Sequence, residues 1–261
     1  MNNPLKITFL GTGTSQGVPL IGCKCAVCSS TDSRDNRLRS SIHIQSAETS
    51  LVIDSGPDFR QQMLQSSIDR LDALLFTHGH KDHTAGFDDI RAFNYIQKKD
   101  MEVYCDFRVE QILKKDFDYV FVDEKYPGVP RANLHIIENN PFKINDLNIT
   151  PIDLLHYKLP VFGFRLGDFS YITDANYISE AEIEKVKGSR IVVLNALRRE
   201  KHISHFTLEE AVALAQEIGA ERTYFTHISH QLGKHADVIK ELPEGITLAY
   251  DQLQIELNPN E

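Results

Sequence analysis

The 261-residue sequence has no surplus of positive charge: 28 Lys and Arg stand against 37 Asp and Glu, a formal net charge of -9. That argues against a broad nucleic-acid or anionic-membrane surface, while leaving room for a local basic pocket. No apolar run is long enough to span a bilayer, and the start "MNNPLKITFLGTG" has neither a basic n-region nor an apolar h-region. The expectation is a cytoplasmic protein with no membrane partner. Cysteine is scarce, and three of the four are crowded into "CKCAVC". So few thiols make a poor disulfide framework for a chain this size, and metal ligation accounts better for the cluster. Low-complexity tracts, Pro/Gly/Ser linkers and internal repeats are also missing. The length then fits one domain over residues 1–261, with a small metal-binding loop near residues 22–30. Oligomeric state is not encoded legibly, and a homodimer stays open.

What is present is alternation. "LKITFLG", "SSIHIQ", "TSLVIDSG", "ALLFTHG", "MEVYC", "LNITPIDLLH", "FGFRLG", "FSYITDA", "IVVLNA", "RTYFTHI" and "ITLAYDQLQIEL" have strand character. "DFRQQMLQSSI", "FDDIRAFNYIQKK", "RVEQILKKDF", "ISEAEIEKVK" and "TLEEAVALAQEIG" carry apolar residues at helical spacing, and Thr207 with Glu210 forms a capping box ahead of the last. Residues 13–39 and 123–133 are the expected irregular stretches. The class is α/β with many strands.

The densest chemistry is "THGHKDH". His78, His80, Asp82 and His83 leave one short turn behind the buried-type strand "LDALLFT", at the strand end where α/β proteins build their sites. Imidazoles and a carboxylate suit Zn²⁺, Mn²⁺ or Fe²⁺, and one such loop can aim donors at more than one ion.

The spacing resembles the H-x-H-x-D-H signature of the metallo-β-lactamase superfamily. That resemblance implies an αββα sandwich: two mixed β-sheets flanked by helices. It further implies that His156, closing "ITPIDLLH", Asp174, closing "FSYITD", and His227, closing "RTYFTH", are later ligands. His78, His80 and His156 would hold one metal, Asp82, His83 and His227 a second, and Asp174 would bridge them. A pair of Zn or Mn ions implies hydrolysis by an activated water. Asp54, in "VIDSGPDF", resembles the aspartate that braces the metal loop by hydrogen bonding without binding the metal.

Cys23, Cys25 and Cys28 form C-x-C-x-x-C and need one more ligand to close a structural zinc site. His230 in "THISH" is the candidate; Cys105, alone in "MEVYCD", is the competitor and reads better as a small buried hydrophobe. The arrangement resembles the PhnP-type phosphoribosyl cyclic phosphodiesterases. In that branch a histidine in the context of "HFT" is thought to protonate the leaving oxygen, which points to His205. His205 and Asp82 are thus the expected catalytic residues. His202 reads as a surface neighbour, and Arg198, Arg199 and Lys201 as a solvated run that could meet a substrate phosphate. The implied function is a dinuclear metal-dependent phosphodiesterase acting on a small, possibly cyclic, ribose phosphodiester. A tRNA 3′-processing nuclease is disfavoured by the acidic balance and the added cysteine loop. A non-catalytic metal-binding or carrier protein of cofactor biosynthesis is disfavoured by the intact ligand set.

Overall fold

The computed structural model describes residues 4–122 and 126–258. Its strands are β1 (Leu5–Gly11), β2 (Ser41–Gln45), β3 (Ser50–Ile53), β4 (Ala73–Leu75), β5 (Met101–Cys105), β6 (Ala132–Ile136), β7 (Phe142–Ile144) and β8 (Leu147–His156). They continue as β9 (Leu159–Leu166), β10 (Phe169–Tyr171), β11 (Tyr177–Ile178), β12 (Ile191–Asn195), β13 (Arg222–Thr226), β14 (Ile246–Leu248) and β15 (Gln254–Leu257). One sheet runs β15-β1-β2-β3-β4-β5-β6. The other runs β11-β8-β9-β10-β12-β13-β14, with β7 paired to β8. Both are mixed: β3 to β6 are parallel in the first, and β10, β12, β13 and β14 in the second.

Period-two alternation within the strands sorts the side chains into layers. Leu75 of β4 and Ile191 and Val193 of β12 pack between the sheets with Phe9, Ile53, Phe164 and Tyr171. Their neighbours face outward. Leu74 and Phe76 meet Phe59, Phe93, Val109 and Leu113 from the helices on one side. Val192 and Leu194 meet Ile183, Ala211, Leu214 and Ile218 on the other. Helix, sheet, sheet, helix is the order of layers, as the resemblance implied.

Several details differ from the sequence reading, among them three strands it did not include, β6, β7 and β11. "ITLAYDQLQIEL" is not one strand: β14 belongs to the second sheet and β15 to the first. The chain crosses between them where Gln252 turns left-handed, at φ 71°. The half-buried Asp251 carboxylate there accepts the Leu38 N–H and the Thr12 hydroxyl, each at 2.7 Å. Of the expected irregular stretch 123–133, residues 123–125 lie outside the described residues, and the last two residues open β6.

Candidate metal centre

Parallel strands of both sheets end at one edge, and the residues that follow them carry the polar side chains. Three of these residues, Asp54, Asp174 and His227, have positive φ of 66°, 53° and 55°. Non-glycine residues pay for this conformation, and such strain gathers at functional sites. Here it turns the side chain off the strand direction at the point where the chain leaves the sheet. After β4, "HGHKDH" passes into a helical turn, Lys81–Thr84. Gly56 lets that turn come close: a Cβ there would lie 2.0 Å from the Asp82 carbonyl oxygen.

The convergence is tight. His78, His80 and His156 form one group of possible ligand atoms, and Asp82, His83, Asp174 and His227 a second, each within 4.8 Å among themselves. Asp174 Oδ2 is 3.1 Å from both His83 Nε2 and His227 Nδ1. His83 Nε2 is also 3.2 Å from Asp82 Oδ2. His205 lies against the same centre, its ring 4.6 Å from that of His156 and stacked 4.9 Å from that of His227. His205 Nδ1 is 3.8 Å from Asp174 Oδ1.

Outer partners orient these rings. Asp54 is fully buried; it accepts the Thr77 N–H and hydroxyl at 2.9 and 2.8 Å and lies 2.7 Å from His83 Nδ1. His156 Nδ1 donates to the Ser204 carbonyl at 2.8 Å, which leaves Nε2 for the centre. Ser40 Oγ, 3.2 Å from His227 Nδ1, and the Ser204 carbonyl had no sequence signal, because a serine hydroxyl and a backbone oxygen have no motif of their own.

The electrostatics are those of a cation site. Burial opposes charge on His83, yet the carboxylates of Asp174, Asp54 and Asp82 outweigh it and raise the imidazole well above its ordinary value. Burial likewise opposes charge on Asp174, but His227 and His83 hold the carboxyl well below the carboxylate range. His205 is pushed down to about 3 by burial and by the facing His227. His83 Nε2 and His205 Nδ1 are buried with no hydrogen-bond partner. Unpaired imidazole nitrogens facing a buried carboxylate are what a divalent cation would satisfy, so the donor set fits one.

Some distance along the chain, Cys23, Cys25, Cys28 and His230 form a further group within 4.8 Å. His230 Nδ1 is 3.5 Å from Cys23 Sγ and 3.4 Å from Cys25 Sγ. The Cys28 N–H and His230 pull the Cys25 thiol down to about 6, and burial pushes Cys28 up to about 11. Three thiolates and an imidazole at this separation fit a closed tetrahedral zinc site. Cys105 is fully buried in the core beneath the helices and away from the group. The two arginines of the basic run are occupied elsewhere: Arg198 donates to Gln231 Oε1 and the Lys201 carbonyl, and Arg199 pairs with Glu241 at 2.9 Å, while Lys201 is exposed. His202 is half-buried, its ring 5.1 Å from that of His205.

A helix-flanked pair of mixed sheets with this cluster at its edge defines the metallo-β-lactamase fold, and the donors of the cluster suit divalent metal. Residues 49–228 match the family described as the β-lactamase superfamily domain, and the chain belongs to that superfamily. A crystal structure of a new diphosphatase from the PhnP family superposes with a TM-score of 0.92 at 38% identity, covering 97% of each chain. Zinc-bound PqqB from Methylobacterium extorquens, at 21% identity and TM-score 0.74, shares the fold over 97% of this chain and all of that one. Human tRNase Z, short form, does so at 19% and 0.68, over 97% and 99%. Among curated proteins, a Porphyromonas gingivalis octanoyltransferase is 38% identical over 253 residues, which is 96% of this chain and 51% of that protein. The chain thus spans about half the length of that relative. Among the described residues no helix is long and apolar enough to cross a membrane.

Proposed function

We propose that this chain is a single-domain, cytoplasmic dinuclear metal-dependent phosphodiesterase acting on a small phosphodiester. His78, His80 and His156 would hold one divalent ion, Asp82, His83 and His227 the other, and Asp174 both. Bound there, two Zn or Mn ions supply Lewis acidity and a water of lowered pKa. The chain's own residues do the rest. Asp54 and the Ser204 carbonyl fix the rings of His83 and His156, so that ligand nitrogens are oriented before substrate arrives. His205 gives a proton to the leaving oxygen, and the anionic phosphate beside it offsets the burial that otherwise keeps the imidazole neutral. Cys23, Cys25, Cys28 and His230 would bind a separate zinc, with His230 three residues beyond His227 on one strand-end turn.

The observation that carries this reading is the meeting of seven ligand atoms, from four strand ends, in two adjoining groups with His205 beside them. The whole-length likeness to a PhnP-family diphosphatase also favours a second bond type for the same machinery, a diphosphate P–O–P linkage. The likeness to tRNase Z and PqqB is one of fold alone, and the octanoyltransferase name belongs to a protein about twice as long. The test is metal analysis joined to a substrate panel: bis-p-nitrophenyl phosphate, cyclic nucleotides, cyclic ribose phosphates, a nucleoside diphosphate ester and precursor tRNA. Asp174→Ala should lose or loosen the pair of ions. Unchanged metal content and activity in that variant would refute the dinuclear centre, and turnover of precursor tRNA alone would redirect the substrate.

A further inference from the structure

The mouth of the centre has one unusual turn. β8 ends at His156 and β9 begins at Leu159, its cross-strand partner, so Tyr157 and Lys158 make a two-residue hairpin. Tyr157 has φ 60°. Glycine, asparagine or aspartate normally occupies that position, because a side chain in the left-handed region costs free energy. An aromatic residue there is held by its surroundings: its N–H donates to Asn176 Oδ1, and the Asn176 N–H donates to the Leu155 carbonyl at 2.9 Å. Both turn side chains are exposed, and the Lys158 ammonium sits 5.3 Å from the centre of the Tyr157 ring, within cation–π range.

This turn borders a cavity of about 500 Å³ lined also by His80, His156 and Ile203, the last 63% exposed. Among the described residues, Lys158 is the one lysine or arginine lining it. Of the basic run that precedes Ile203, Arg198 and Arg199 are bonded to Gln231, a backbone carbonyl and Glu241, and the exposed Lys201 is not among the lining residues. In a chain of net charge -9, a lysine kept at the rim beside a strained tyrosine is poorly explained by solubility alone.

We propose that Lys158, braced by Tyr157, is the specificity-determining cation of this site. It pairs with a second anionic group on the substrate, beyond the phosphate under attack. The inference rests on the phosphodiesterase reading and extends it to substrates with two separate anionic groups, such as nucleoside bisphosphates and their esters.

Binding tests it without turnover. Calorimetry on the metal-loaded protein compares thymidine 5′-monophosphate with thymidine 3′,5′-bisphosphate, which differ by one phosphate. The bisphosphate should bind about tenfold more tightly, the scale of one charge-assisted contact at an exposed position. Lys158→Met should abolish that preference, and Lys158→Arg should keep it. Tyr157→Gly relaxes the turn and should raise the melting temperature while weakening the preference. Equal affinities in the wild type, or a preference that survives Lys158→Met, would overturn the assignment. Hydrolysis of the p-nitrophenyl ester of thymidine 5′-monophosphate separates the two claims. Turnover of that ester without bisphosphate preference removes only the role of Lys158, and no turnover removes the phosphodiesterase reading and this extension together.

Discussion

Asp54 Oδ2 lies 2.7 Å from His83 Nδ1, and both side chains are entirely buried. Because the carboxylate also accepts two hydrogen bonds from Thr77, it cannot rotate away, and the imidazole must present Nε2 to Asp82 and Asp174. A residue that would touch no metal thereby sets the direction of one that would.

Asp54→Asn keeps the shape but offers an amide that can donate to Nδ1 and invert the tautomer, placing a proton on the nitrogen needed for a cation. Divalent-metal affinity should fall about 10- to 100-fold, the usual effect of losing such a partner. Competition with a chromophoric chelator measures it, with circular dichroism confirming the fold. Affinity equal to wild type would show that the Asp54 contact does not matter to the centre.

His205→Ala should retain metal content and slow hydrolysis of alkyl or ribose phosphodiesters by roughly 10²- to 10⁴-fold, the contribution of a positioned acid. Esters with p-nitrophenolate as leaving group need little protonation and should lose far less. Equal losses on both substrate types would assign His205 to phosphate binding or metal positioning instead.

Cys25→Ser should remove one zinc per chain and lower the melting temperature more than it alters turnover by the surviving folded fraction, because a closed four-ligand site contributes folding free energy. Zinc content by mass spectrometry, unchanged in this variant, would dismiss the cysteine site.

His43 is buried in the first sheet with Nε2 2.8 Å from Ser50 Oγ, and burial, aided by Lys6, pushes its pKa down to about 4. The unfolded chain takes up this proton near the ordinary value of 6.5, while the folded chain resists until about 4. Stability from this group is therefore complete above pH 6.5 and is lost as pH falls toward 4, by at most roughly 3 kcal/mol at 1.36 kcal/mol per pKa unit. Urea unfolding of the wild type and His43→Gln, at fixed metal, should show the stability gap between them narrowing over that window. A constant gap would exclude His43 as the titrating group.

Much of this molecule is written locally. Alternation in "LNITPIDLLH" and the continuous apolar run of "IVVLNA" marked strands that the structure has, and the Thr207–Glu210 cap of the helically spaced "TLEEAVALAQEIG" is present as a hydrogen-bonded capping box. These signals depend on neighbours two to four residues apart, which a sequence states directly. "HGHKDH" belongs to the same kind, since four donors leaving one turn are close whatever else the fold does.

Other features depend on pairs far apart in sequence. The split of "ITLAYDQLQIEL" between two sheets follows from Asp251 reaching Thr12 and Leu38, more than two hundred residues away. Ser40 beside His227 and Ser204 behind His156 are contacts across 187 and 48 residues. Lys158 was an ordinary lysine until the hairpin set it at the mouth of the site and the arginines of the basic run were found bonded elsewhere. The sequence by itself determined most of the alternation of strands and helices and the kinds of donor that follow the strand ends. Only the tertiary structure decided which strand ends meet and which side chains orient the donors, because those contacts come from closing two sheets face to face and leave no periodicity in the chain.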